Sequence, residues 1–153
     1  MEINLSGIVG IVGNYGSGKT EVSINLAVNR KQAGLDVRIA DLDLVNPYFR
    51  TREARTVLAE LGVEVILPPD QYLQADLPIL SPTIAGIIQK PNGLTLLDVG
   101  GDDVGATVLA SLSDAFRGID FKVLQVVNPL RPQTNTVSGC LKIRNQIEEA
   151  AQI

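Results

Sequence analysis

The residues best suited to chemistry lie near the start of the chain, in Gly13-Asn14-Tyr15-Gly16-Ser17-Gly18-Lys19-Thr20. They fit G-x-x-x-x-G-K-[ST], the P-loop pattern. A polyphosphate concentrates several negative charges in a small volume. Backbone N–H groups can surround it only where the chain curls tightly, and Gly13, Gly16 and Gly18 permit that curl. A helix beginning near Lys19 would aim its unpaired N–H groups and the positive end of its dipole at the anion. Lys19 would bridge the outer phosphates, and the Thr20 hydroxyl would hold Mg²⁺. A glycine turn that binds nothing would explain the glycines but not the Lys-Thr pair that follows them.

Carboxylates supply the second half of that chemistry. Asp41 and Asp43 end the stretch Val37–Asp43, and a period of two puts both on one side of a strand. Asp98 closes the apolar run Leu94–Val99, the Walker B arrangement, and Gly100-Gly101 follows. Asp41 and Asp98 are candidate Mg²⁺ ligands through water. Asp43 is a candidate for placing an attacking water or making a switch contact. With Lys19, Asp43 and Asp98 form the candidate catalytic set. A backbone N–H of Gly100 or Gly101 would sit near the terminal phosphate and sense its presence. The bland alternatives are an Asx turn after Asp41 and a helix cap at Asp102 or Asp103.

The elements that must position these groups alternate strand and helix. Gly7–Val12 reads as a buried strand, and a helix follows from about Gly18 to Ala33, with Gly34 as its stop. After the second strand, Asn46-Pro47 signals a turn, and Arg50, Arg52 and Arg55 gather near the next helix start. That helix places Ala54, Val57, Leu58 and Leu61 on one stripe and stops at Gly62. A third strand spans Val63–Leu67. Pro68–Pro78 has no clear period and reads as a lid or partner-facing segment as readily as a plain loop. Ser81-Pro82 opens a short helix to Gln89. After strand four, a helix to about Arg117 turns Val108, Leu112 and Ala115 inward. Strand five is Phe121–Val127, followed by Asn128-Pro129-Leu130-Arg131-Pro132 and a helix from about Thr134. Val137, Cys140, Leu141 and Arg144 share one of its faces, which makes Cys140 a core residue in expectation.

Composition narrows the function classes. The 153 residues carry 13 basic and 17 acidic side chains, a net charge of −4, which disfavours a general nucleic-acid surface. There is no histidine, so no histidine base or metal ligand, and one cysteine, so no internal disulfide. No run spans a membrane and the N-terminus lacks signal-peptide features, which makes a cytoplasmic location the expectation. The length fits one domain.

Taken in order, the early P-loop, the acids ending strand two, Asp98-Val99-Gly100-Gly101 and the proline-containing loop after strand five resemble the MinD/ParA class. This class of P-loop ATPases also holds the nitrogenase iron protein and the CobQ/CobB amide synthases. The resemblance covers essentially the whole chain. It implies a doubly wound, mostly parallel α/β sheet of about five strands with helices on both faces. It also implies ATP (in preference to GTP) with Mg²⁺, nucleotide binding by Gly13 to Thr20, a protein partner and a nucleotide-dependent homodimer. Metal-cofactor maturation or positioning is the expected task. A P-loop small-molecule kinase, a cobyrinic acid-type amide synthase, and a binding module without turnover are the alternatives. Two features depart from the class. Its second P-loop lysine is Asn14 here, so hydrolysis is expected to be slow, to need another cation such as Arg50 or Arg52, or not to occur. The chain also stops inside a helical pattern, so a domain shortened at the C-terminus is expected, without the asparagine that reads the base. No [NT]-K-x-D guanine motif is present.

Overall fold

The computed structural model describes residues 5–43, 51–67, 82–101 and 103–152. Its elements in chain order are β1 (Gly7–Val12), α1 (Lys19–Gln32), β2 (Val37–Leu42), a 3-10 turn (Thr51–Ala54), α2 (Arg55–Glu60) and β3 (Glu64–Ile66). They continue with α3 (Pro82–Gln89), β4 (Leu94–Val99), α4 (Asp103–Ser111), β5 (Phe121–Gln125) and α5 (Val137–Ala151). The strands form one five-stranded sheet in the order β3-β2-β4-β1-β5, and every pairing is parallel. This is the doubly wound α/β architecture expected from the alternation of apolar runs with helical patterns.

Parallel strands covered on both faces are apolar on both, which is why β1 and β4 read as continuous hydrophobic runs. Alternate residues feed two cores. Ile8, Val12, Leu97 and Val99 pack with Ile84, Ile88, Val108 and Leu112 from the α3 and α4 side. Val9, Ile11, Leu94 and Leu96 pack with Ala27 and Leu58 from α1 and α2. Asp41 and Asp98 fall on the α1 face by the same alternation, in register with each other on neighbouring strands.

Several expected boundaries and faces differ. β2 stops at Leu42, one residue before Asp43, and β5 stops at Gln125. α4 ends at Ser111, and turns carry the chain to Gly118, yet Val108, Leu112 and Ala115 are all buried as expected. On α2 only Leu58 of the expected stripe is buried, while Val57 and Leu61 are exposed. The α5 stripe is also rotated: Val137 and Leu141 face solvent, and Ile147 and Ala151 reach the core instead. Cys140 is half-buried, its Sγ donating to the Thr134 carbonyl at 3.4 Å. The readings placed on Leu44–Arg50, Pro68–Ser81 and Asp102 lie outside the described residues.

Candidate functional site

β1 delivers the P-loop to the C-terminal edge of the sheet, between β4 and β5. Ligands bind at this edge in open α/β folds. The loop curls as its glycines predict: Gly16 and Gly18 hold φ of 71° and 94°, and Ser17 N–H closes a turn onto the Asn14 carbonyl at 3.2 Å. α1 starts directly at Lys19. The Lys19 side chain is buried and folds back over the loop, its Nζ donating to the Asn14 carbonyl at 3.1 Å. Ser17 Oγ and Asn14 Oδ1 are buried without a hydrogen-bond partner. Buried polar atoms left in this state are costly unless a ligand or water satisfies them. Tyr15 is exposed. A helix N-terminus, a cation and orphaned polar atoms thus meet in one cradle suited to an anion.

Asp98 lies beneath this cradle and is 1% exposed. Its carboxylate accepts from Thr51 Oγ1 at 2.7 Å and Ser23 Oγ at 3.3 Å, and the Thr20 hydroxyl bonds it as well. Burial pushes the Asp98 carboxyl up to about 6, against the hydrogen bonds from Thr51 and Thr20, with the neighbouring Asp41 charge adding to the rise and Lys19 opposing it. Asp41 is fully buried and accepts the Asp43 backbone N–H at 3.1 Å. The Asx turn therefore exists, and it leaves Asp41 beside Asp98. Asp43 is also buried.

A hydroxyl and carboxylates are hard oxygen donors of the kind Mg²⁺ takes, and Mg²⁺ on phosphates needs only one or two carboxylates. Among the described residues no group of three or more His, Cys, Asp or Glu clusters as a stand-alone metal site. The buried Asp98 carboxylate next to Thr20 and Asp41 fits a cation brought in with phosphate. Thr20, Asp98 and Asp41 would hold it, and it would neutralise charge on the phosphates.

Gly101 comes close to the loop from β4. A Cβ there would sit 2.5 Å from Lys19 Nζ and 2.8 Å from Tyr15 N. Only glycine fits, and its backbone comes up against the cradle. Beside it opens a cavity of about 300 Å³. Its apolar walls include Val99, Ala106 and Ile147, and Asn14, Gln133 and Gln146 supply carboxamides.

Sequence reasoning missed the contribution of the β5–α5 connection. Arg131 Nε donates to the Gly16 carbonyl at 3.2 Å, Asn128 Nδ2 to the same oxygen at 3.5 Å, and Asn14 Nδ2 to Gln133 Oε1 at 3.4 Å. The available signal was Asn128-Pro129 and Arg131-Pro132, which announce a loop but not its target. Of the arginines expected near the site, Arg50 and the Arg52 side chain lie outside the described residues, and Arg55 is exposed.

The fold is shared with known structures. The chain superposes on cell division protein FtsY from Thermotoga maritima with a TM-score of 0.67 at 16% identity, covering 99% of this chain and 52% of that one. Signal recognition particle receptor FtsY from Elizabethkingia anophelis, in complex with GDP, gives 0.64 at 17% identity, covering 100% and 48%. A second structure of that receptor gives 0.61 at 15%, covering 96% and 48%. The chain therefore spans about half the length of these neighbours. The fold is a P-loop NTPase-like α/β fold. No family profile and no curated protein sequence matches the chain. No described helix is long and apolar enough to cross a membrane.

Proposed function

We propose that this chain binds a nucleoside triphosphate with Mg²⁺ and acts as a P-loop switch of the MinD/ParA type, transmitting the state of the nucleotide to a protein partner. One observation carries the reading: the Lys19-Thr20 end of the cradle and the buried Asp98–Asp41 pair converge on the same point. Phosphate charge would be met by loop N–H groups and Lys19, and the cation by Thr20 and the carboxylates. Gly101, pressed against Tyr15 and Lys19, is the element through which loss of a terminal phosphate would move the start of α4. Asp43, at the end of β2, is the residue proposed to place an attacking water. The base stays open between adenine and guanine. ATP is what the MinD/ParA resemblance implies, while the GDP bound to the Elizabethkingia receptor makes guanine an equal candidate.

Calorimetric titration of ATP and GTP, with and without Mg²⁺, tests this, with phosphate release followed in the same samples. Lys19→Ala is expected to weaken binding at least about tenfold, the scale of a lost charged hydrogen bond, while the fold is retained. Unchanged affinity in a folded variant refutes the assignment. Binding without phosphate release selects the non-hydrolysing form and implicates Asn14.

A second reading draws on the cavity beside Gly101. Its apolar walls and three carboxamides suit a neutral small molecule next to the terminal phosphate, as a kinase or an amide synthase of the CobQ/CobB kind would need. Phosphate release stimulated by a metabolite and by no protein would favour it.

A further inference from the structure

We propose that Arg131 is a nucleotide-contacting residue, supplying from the β5–α5 connection the second cation that the P-loop itself lacks. The inference rests on the nucleotide-binding reading above. Within Gly13–Thr20 the only cationic side chain is Lys19, and Asn14 is neutral. A triphosphate needs more compensation than one ammonium gives, especially in a partly dry site.

Arg131 stands at the loop in a form suited to that need. Its guanidinium lies against Gly16: a Cβ built on Gly16 would come within 2.7 Å of Nη2 and 2.9 Å of Cζ. One N–H, on Nε, is used on the Gly16 carbonyl. A guanidinium carries five N–H donors in a planar fork that matches phosphate oxygens. No carboxylate pairs with Arg131 among the described residues. An exposed arginine with no acidic partner among the described residues, held beside an anion cradle, still has its Nη donors to offer.

The connection is braced so that this aim is kept. Arg131 N–H donates to the Asn128 carbonyl at 3.1 Å, and Thr134 N–H to the Arg131 carbonyl at 3.0 Å. Thr134 Oγ1 donates to the Asn128 carbonyl at 2.7 Å, and Leu130 N–H to Asn128 Oδ1 at 3.0 Å. Thr134 is buried, so the turn is anchored from below. Reorganisation on binding is small, because the donor is oriented before the ligand arrives.

The test compares wild type, Arg131→Gln and Arg131→Lys by calorimetry with Mg-ATP, Mg-GTP and inorganic tripolyphosphate, at low and high salt. Arg131→Gln should weaken both nucleotides by a similar factor, roughly 10- to 100-fold for a charged hydrogen bond, because the contact is to phosphate and not to the base. Tripolyphosphate should weaken too. The salt dependence of nucleotide binding should flatten in Arg131→Gln and persist in Arg131→Lys, whose affinity should be intermediate. If Arg131 only braced the loop, salt dependence would not change, and that result overturns the proposal. So does wild-type affinity in Arg131→Gln. If wild type binds none of the three ligands, both the proposal and the nucleotide-binding reading fall, whereas loss of the Arg131 effect alone leaves that reading standing.

Discussion

Replacing Asp98 by asparagine should remove a pH-dependent cost to the stability of the ligand-free protein, although it damages the candidate site. Asp98 ionises in the unfolded chain near 3.8 and in the folded protein near 6. Each tenfold change in proton affinity corresponds to about 1.36 kcal/mol, so the difference costs about 3 kcal/mol once the group is ionised in both states. The sign follows from proton uptake. Below about pH 3 both states carry the proton and the cost is absent. Between about pH 3 and 6 the unfolded chain releases its proton first, so folding stability falls as pH rises. Above about pH 6 the loss is complete and constant. Asparagine does not titrate. The stability gap between Asp98→Asn and wild type should therefore widen by about 3 kcal/mol from pH 3 to pH 7.5, whatever fixed offset the amide's hydrogen bonds to Thr51 and Ser23 introduce. Urea unfolding followed by far-UV circular dichroism, with chelator present, measures it. With slopes of about 1–3 kcal/mol/M the midpoint should move by about 1 M or more. A gap that stays constant across that pH range would refute the account of a buried, strained carboxylate. A functional site commonly sacrifices stability in this way.

Further expectations follow from particular contacts. Thr51→Val removes the 2.7 Å donor to Asp98 and should cost roughly 1–3 kcal/mol at neutral pH, with Thr51→Ser restoring most of it in the same urea assay. Gly101→Ala pushes a methyl against Lys19 Nζ, which can swing aside, and the Tyr15 backbone, which cannot, so nucleotide affinity measured calorimetrically should fall about tenfold or more while overpacking costs about 1–3 kcal/mol of stability. Leu97→Ala, at a fully buried central-strand position, should cost about 2–5 kcal/mol by denaturant unfolding. Thr136→Ala removes the cap that accepts from Gly139 N–H at 3.1 Å and should cost about 1 kcal/mol.

What the sequence made legible was what local physics decides. β1 and β4 match their expected ends because they are apolar runs closed by glycine or acid, and the helix after Gly18 begins where the loop glycines end. The convergence of Thr20, Asp41 and Asp98 followed from strand alternation and the P-loop together. The face of α5 did not follow. Two stripes pass through Cys140: one with Val137, Leu141 and Arg144, the other with Ile143, Ile147 and Ala151. Periodicity ranks them alike, and packing against α4 and the sheet selects the second. The Arg131–Gly16 contact joins residues 115 apart, and Thr51 and Asp98 are separated by 47. Such pairs depend on the strand order, and a single sequence does not state which strands are neighbours.

That strand order also bears on how the protein is made. Among the described strands β1 comes first in sequence, yet its partners there are β4 and β5, whose residues begin at Leu94 and Phe121. Among the described strands, only β2 and β3 pair with a neighbour in sequence. Loop closure over such separations is slow, and a central strand left waiting exposes two unpaired apolar edges. On the ribosome, the P-loop cradle would stay without one wall until β5 had emerged. A ligand in the cradle would then act as a late clamp on the described sheet, favouring chains that include β5 over shorter ones.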